Sequence, residues 1–280
     1  PKAKYQINKN KKETQYNMLK KYELSNKDLK KLSDYCDDLQ IGFLASVFDI
    51  DSLEYLKKLK TKIIKIPSGE INNLPLLEKI GKLKKKIILS SGMSTMNEIN
   101  DAIKILTKSG TKIQDITVLH CTTSYPTNFV EVNLNSMLSI KKNLNVDIGY
   151  SDHTLGSEVS LAAVTLGAKI IERHFTIDKN LRGPDHKSSL TPKEFKYLVK
   201  SIRNIELSLG SNIKKPSKNE KKNMLAVRKS IVARTQIKKG DKFSSQNITI
   251  KRPGNGKSPM LWYNVIGKKS KKNYKINEQI

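Results

Sequence analysis

Six short apolar runs, each closed by a polar signature, recur along the first 176 residues of this chain. They end at Phe48-Asp49, at KIPSGE (65–70), at SSGM (90–93), at HCTTSYP (120–126), at GYSDHT (149–154) and at ERHFT (172–176). Between and around them lie stretches with helical apolar spacing, over residues 26–39, 51–60, 74–80, 95–108, 134–142, 157–166 and 192–209. Strand and helix therefore alternate as they do when βαβ units are joined into a parallel sheet. A closed barrel of this class takes eight such units in about 250 residues. With six in view, the expected fold is α/β, a TIM (β/α)8-type barrel lacking its first strands, the missing units lying before Pro1. Barrels of this kind keep their chemistry at the carboxyl ends of the strands, so the polar closures are candidates for function.

The pattern changes after Gly210. Residues 211–223, SNIKKPSKNEKKN, read as a linker rich in Lys, Ser, Asn and Pro. Beyond it come short β-like runs at 230–233, 248–252 and 264–267, separated by turn signals such as Lys239-Gly240-Asp241 and Pro253-Gly254-Asn255-Gly256. The expected organisation is a barrel over 1–210, a linker over 211–223 and a small β-rich domain over 224–280.

Composition narrows the function classes. Fifty-three Lys and Arg against 26 Asp and Glu give a net charge of +27, which fits either an anion-attracting surface or a bias toward lysine. The lysines are spread over amphipathic helices with little aromatic interleaving and no nucleic-acid motif, so a nucleic-acid partner is not expected. Cys36 and Cys121 follow no metal spacing, and a reduced, cytoplasmic setting is the simplest. No apolar run reaches membrane-span length and no signal peptide opens the chain, so no membrane partner is expected.

His153 and His174 stand one βα unit apart at the ends of neighbouring strands, where two imidazoles can reach one divalent metal; hydrogen-bonding roles are the alternative. Strand alternation puts Glu172 on the side of His174, with Arg173 opposite. Glu172 is open between supporting a metal or its water and pairing with a lysine. Lys65 interrupts a run of isoleucines. An ammonium so placed needs an anion, whether a substrate phosphate or carboxylate or a structural partner, and Schiff-base chemistry is a further option. Ser68-Gly69 and Ser90-Ser91-Gly92 offer hydroxyls and accessible backbone N–H groups for a phosphate. Asp185, in the loop 182–186, is either a sugar contact or a turn former.

KIPSGEI, ILSSGM, LHCTTSYP, IGYSDHTLG, ERHFT and GPDHKSSL, in this order, resemble the N-acetylneuraminate (sialic acid) synthase family. IVARTQIKKGD and KRPGNG resemble the antifreeze-like (SAF) domain that closes those enzymes. The resemblance implies condensation of phosphoenolpyruvate with N-acetylmannosamine or a related N-acetylated amino sugar, with release of phosphate. It implies His153 and His174 as ligands of Mn2+ or a similar ion, Mg2+ and Co2+ included. Ser46, Lys65, Ser68, Ser90 and Ser151 would hold phosphoenolpyruvate, with Thr123 and Tyr125 lining the site. Asp185 would contact the sugar and Glu70 would transfer a proton. Arg252 would reach the sugar's N-acetyl group in a second subunit, because the family forms domain-swapped homodimers. Position 123 carries Thr where some members have Asn. The Glu-Ala-Gly and Lys-Phe-Gln motifs of the family's first strands are not found here, which leaves open a catalytically inactive binding protein.

Overall fold

A computed structural model describes residues 14–59, 61–183 and 185–280. The basic opening stretch, Lys60 at the end of the helix expected over 51–60, and Pro184 of the GPDH motif lie outside the described residues. The chain divides into two compact units, Pro1–Gly210 and Ser211–Ile280.

The first unit is a partial barrel. Strands β1 (Ile63–Ile66), β2 (Lys86–Ser90), β3 (Ile116–Cys121), β4 (Asp147–Asp152) and β5 (Ile171–Arg173) pair in chain order, all parallel. The α-helices of this unit among the described residues are α1 (Gln15–Lys20), α2 (Asn26–Asp38), α3 (Ile50–Lys58), α4 (Leu74–Lys82), α5 (Met96–Lys108), α6 (Asn135–Leu144), α7 (Glu158–Thr165) and α8 (Pro192–Leu209). Their starts are written locally. Thr95 and Glu98 form a reciprocal capping box on α5, and Thr191 and Glu194 do so on α8, with Pro192 in the first turn.

Alternation along the strands sorts the two faces of the sheet. Ile64, Ile66, Ile87, Leu89, Ile116, Val118, Ile148 and Tyr150 lie on the helix side. There they pack with Leu76, Leu77 and Ile80 of α4 and Ile103 and Leu106 of α5 in one core. The intervening residues face the other way: Lys65, Ser90, Cys121, Ser151 and Glu172. The hydrophobic layer on one face thus fixes which polar side chains share the opposite one. Gly149 makes the pairing of β4 close, since a Cβ there would fall 2.4 Å from Leu119 and 2.6 Å from the Ile170 carbonyl.

Two expectations change at the edge of this unit. Residues 41–48, expected as a strand, have a parallel bridge at Ser46 to Lys65 and one bond from Val47 N–H to the Lys65 carbonyl at 3.0 Å. A strand is defined by its ladder, and this apolar run makes one rung of it. In the helix expected over 26–39, whose apolar spacing is Leu29, Leu32, Tyr35 and Leu39, Leu29 is half-buried and the other three are exposed.

In the second unit β6 (Ser230–Ala233) pairs antiparallel with β7 (Ile248–Lys251) over a core of Ile231, Ala233, Ile237, Phe243, Ile248, Val265, Tyr274 and Ile280. Part of the segment expected as a linker is helical: α9 (Lys218–Val227) begins inside it, started by a capping box between Ser217 and Glu220. Residues 264–267 are likewise not a strand. The 3-10 turn Pro259–Leu261 runs into the short helix α10 (Trp262–Val265), and the chain then turns at Gly267 with φ +81°.

Candidate active site

Lys65 is 5% exposed, and its Nζ donates to Ser90 Oγ at 2.8 Å and lies 3.4 Å from Glu172 Oε2. Glu172 Oε1 accepts from Ser151 Oγ at 2.8 Å, as the register Ser151↔Glu172 of β4 and β5 allows. Ser151 Oγ is in turn 3.5 Å from His153 Nε2. One polar network therefore crosses the inner face from Ser90 through Lys65 and Glu172 to Ser151, with His153 beside its end. Of the two readings open for Glu172, pairing with a lysine is what the geometry contains.

His153 and His174 lie edge to face with ring centroids 5.2 Å apart, and Tyr125 packs beside both, at 4.2 and 5.4 Å. His153 Nδ1 lies 2.7 Å from the Thr122 carbonyl, so it donates there and the neutral ring keeps its lone pair on Nε2. Burial holds the His153 pKa below the ordinary histidine value, against the opposing pull of that hydrogen bond. A neutral ring fixed through Nδ1 by a carbonyl is the form in which histidine binds metals. With metal–nitrogen bonds of about 2.1 Å, rings at this separation are close enough to share an ion. Among the described residues no group of three or more His, Cys, Asp and Glu is arranged around a metal position. The two imidazoles would therefore form part of a coordination shell that water or substrate oxygens complete. His174 Nδ1 is 3.7 Å from Asp185 Oδ2, and Asp185 Oδ1 is buried without a hydrogen-bond partner among the described residues.

A second cluster adjoins Lys65. Ser68 Oγ accepts from Gly92 N–H at 2.9 Å and lies 3.3 Å from Cys121 Sγ. A Cβ on Gly92 would meet Thr123 at 2.7 Å, Ser68 at 2.9 Å and Cys121 at 3.1 Å. Glycine is what lets these turns close on one another. Glu70 ends the 3-10 turn after β1, and its Oε2 accepts from Asn73 Nδ2 at 2.7 Å. Ser46 is exposed beside Lys65 in the bridge. Arg252 belongs to the second unit, where it is exposed and its Nε donates to the Val227 carbonyl at 3.0 Å. Sequence reasoning passed over Cys121 as a site-facing residue. Its parity with Thr117 and Leu119 on β3 was the available signal.

Comparison with known proteins follows the same division of the chain. The NeuB family model matches residues 1–214, and the SAF domain model matches residues 228–280. The chain belongs to the NeuB family. An N,N'-diacetyllegionaminic acid synthase of Campylobacter jejuni is 53% identical over 268 residues, 96% of this chain and 80% of that protein. A pseudaminic acid synthase of Helicobacter pylori is 36% identical over 85% of this chain and 70% of its own length. The solved structure of an N-acetylneuraminic acid (sialic acid) synthetase from Leptospira borgpetersenii has a TM-score of 0.69 at 36% identity. It covers 74% of this chain and 72% of that one. The relatives named here are carbohydrate acid synthases. Among the described residues no helix is long and apolar enough to cross a membrane.

Proposed function

We propose that this chain is a nonulosonic acid synthase. It would condense phosphoenolpyruvate with N-acetylmannosamine or a related N-acetylated amino sugar and release phosphate. The observation that carries this reading is the buried Lys65 ammonium, held by Ser90 and Glu172 beside the paired imidazoles of His153 and His174. The names of the relatives support the product class.

In this reading Lys65, Ser90, Ser68 and Ser151 hold the phosphate and carboxylate of phosphoenolpyruvate, and the preorganised donors offset its charge. Tyr125 and Thr123 form the wall beside it. Asp185, with one buried oxygen unpaired among the described residues, accepts from a sugar hydroxyl or amide. Glu70 is assigned the proton transfer, after release from Asn73. His153 and His174 would hold Mn2+ or a similar divalent ion such as Mg2+ or Co2+, which when bound supplies Lewis-acid polarisation of the sugar aldehyde. The methylene carbon of phosphoenolpyruvate attacks that aldehyde, water captures the oxocarbenium-like centre, and the tetrahedral adduct expels phosphate. Arg252 would serve the N-acetyl group in the barrel of a second copy, within a domain-swapped homodimer.

Lys65 also suits a Schiff-base aldolase, but that chemistry needs its Nζ free of both Ser90 and Glu172. The test is phosphate release from phosphoenolpyruvate with Mn2+ and a panel of N-acetylated hexosamines, with borohydride trapping alongside. Sugar-dependent phosphate release supports the synthase. A borohydride-stable adduct on Lys65 without phosphate release would replace it with the aldolase.

A further inference from the structure

The helix side of β4 and β5 carries a buried ion pair. Arg173 Nη1 lies 2.5 Å from Asp152 Oδ2, with the two side chains 1% and 0% exposed. Asp152 Oδ1 accepts from Thr154 N–H at 2.9 Å and Thr154 Oγ1 at 2.8 Å, and its Oδ2 accepts from Ser160 Oγ of α7 at 2.5 Å. Arg173 Nη2 donates to the Thr154 carbonyl at 2.9 Å, while its Nε is buried without a hydrogen-bond partner among the described residues.

Such a pair is a poor stabilising device. Desolvation offsets most of its attraction, and well-packed apolar residues commonly do as well or better. An unpaired buried Nε adds to the cost. The location suggests what the pair does instead. Asp152 and Arg173 are register partners. Asp152 stands between Ser151 and His153, and Arg173 between Glu172 and His174. Thr154, the residue after His153, is gripped at its N–H, hydroxyl and carbonyl by these two side chains. Thr154 directly follows His153, so loosening this grip moves the His153 ring relative to His174, while the backbone ladder of β4 and β5 keeps Ser151 aligned with Glu172.

We propose that Asp152 and Arg173 are positioning residues that set the separation of His153 and His174, and so the affinity of the two imidazoles for a divalent cation, without touching substrate. This rests on the reading of the two histidines as a cation site. The test is Mn2+ binding to the metal-free full chain, followed by the EPR signal of the free ion, with thermal unfolding measured in parallel. Asp152→Leu/Arg173→Met should keep the fold and weaken Mn2+ binding by about 10- to 100-fold, the range found when groups supporting metal ligands are removed. Its KM for phosphoenolpyruvate should stay near the wild-type value, a split that general loosening of the barrel would not give. Arg173→Lys keeps the charge next to Asp152 but cannot span both Asp152 and the Thr154 carbonyl. It should weaken Mn2+ less than the double variant, and it decides the matter alone if the double variant does not fold. Wild-type Mn2+ affinity in a folded double variant, or in Arg173→Lys where the double variant is unfolded, overturns the inference. Absence of Mn2+ binding by the wild type overturns the two-histidine reading, and the inference with it.

Discussion

Replacing Lys65 with Met tests the centre of the functional reading. Methionine fills nearly the same volume, so the change removes the charge and the donor and leaves the packing of β1 largely intact. In the free protein the variant loses the bond to Ser90 and the ion pair with Glu172. Breaking a fully buried pair costs about 3–5 kcal/mol. Glu172, however, is 37% exposed and keeps its bond from Ser151. Water can solvate the carboxylate left behind, and the cost falls to about 1–2 kcal/mol. The effect on substrate is larger in kind. A charge-assisted hydrogen bond to an anion is worth about 1.5–3 kcal/mol, which is about 10- to 150-fold in affinity at about 1.4 kcal/mol per decade. Urea unfolding should show the small stability loss. Phosphate release against phosphoenolpyruvate concentration should show KM raised by that factor, with the amino-sugar KM changed much less. A folded Lys65→Met protein with an unchanged phosphoenolpyruvate KM would refute the idea that this ammonium binds the three-carbon anion.

His153→Ala should abolish metal-dependent turnover and lower bound Mn2+; full turnover with normal metal content would remove His153 from the metal site. Arg252→Ala should raise the KM for the amino sugar more than that for phosphoenolpyruvate, and equal effects would argue against its contact with the N-acetyl group. Leu76 is fully buried in the barrel core, and Leu76→Ala should cost about 3–5 kcal/mol, read as a lower urea midpoint. His120 is half-buried with Nε2 2.7 Å from the Val132 carbonyl, and that desolvation holds its pKa below the ordinary histidine value. As pH falls below about 6.5 the unfolded chain takes up a proton there before the folded one does, so stability is present above that pH and lost below it. His120→Gln should therefore flatten the fall in urea midpoint between pH 7.5 and 5.5, leaving the share due to His153.

The parallel sheet could be read from the chain because its signals are local: isoleucine-rich runs, polar stops, and capping boxes such as Thr95–Glu98. What escaped was set by partners or masked by composition. Residues 41–48 have the residues of a strand, yet pairing requires neighbours, and one bridge to Lys65 is what the fold supplies. In 211–223 the abundance of Lys, Asn and Ser signalled a linker and obscured the Ser217–Glu220 box that starts α9. Val265 and Ile266 are β-branched and apolar and suggest a strand at 264–267, but the turn before them, through Pro259, delivers the chain in helical geometry.

The candidate site was readable where one residue broke the pattern around it. A lysine among isoleucines, and histidines at two successive strand ends, are visible without coordinates. Their connection was not, because it runs through register: Ser151 reaches Glu172 only because β4 and β5 are aligned residue for residue. The same alignment sets Asp152 against Arg173 on the other face. A sequence shows parity along each strand but not the stagger between strands, and the stagger here decides which polar residues meet. The two faces are therefore coupled. A substitution that leaves every inner side chain in place but shifts β5 against β4 would separate Ser151 from Glu172 and His153 from His174 together. Loss of phosphoenolpyruvate binding and loss of cation binding should accordingly appear jointly in register-shifting variants of β5 and separately in variants of Lys65 or of His153.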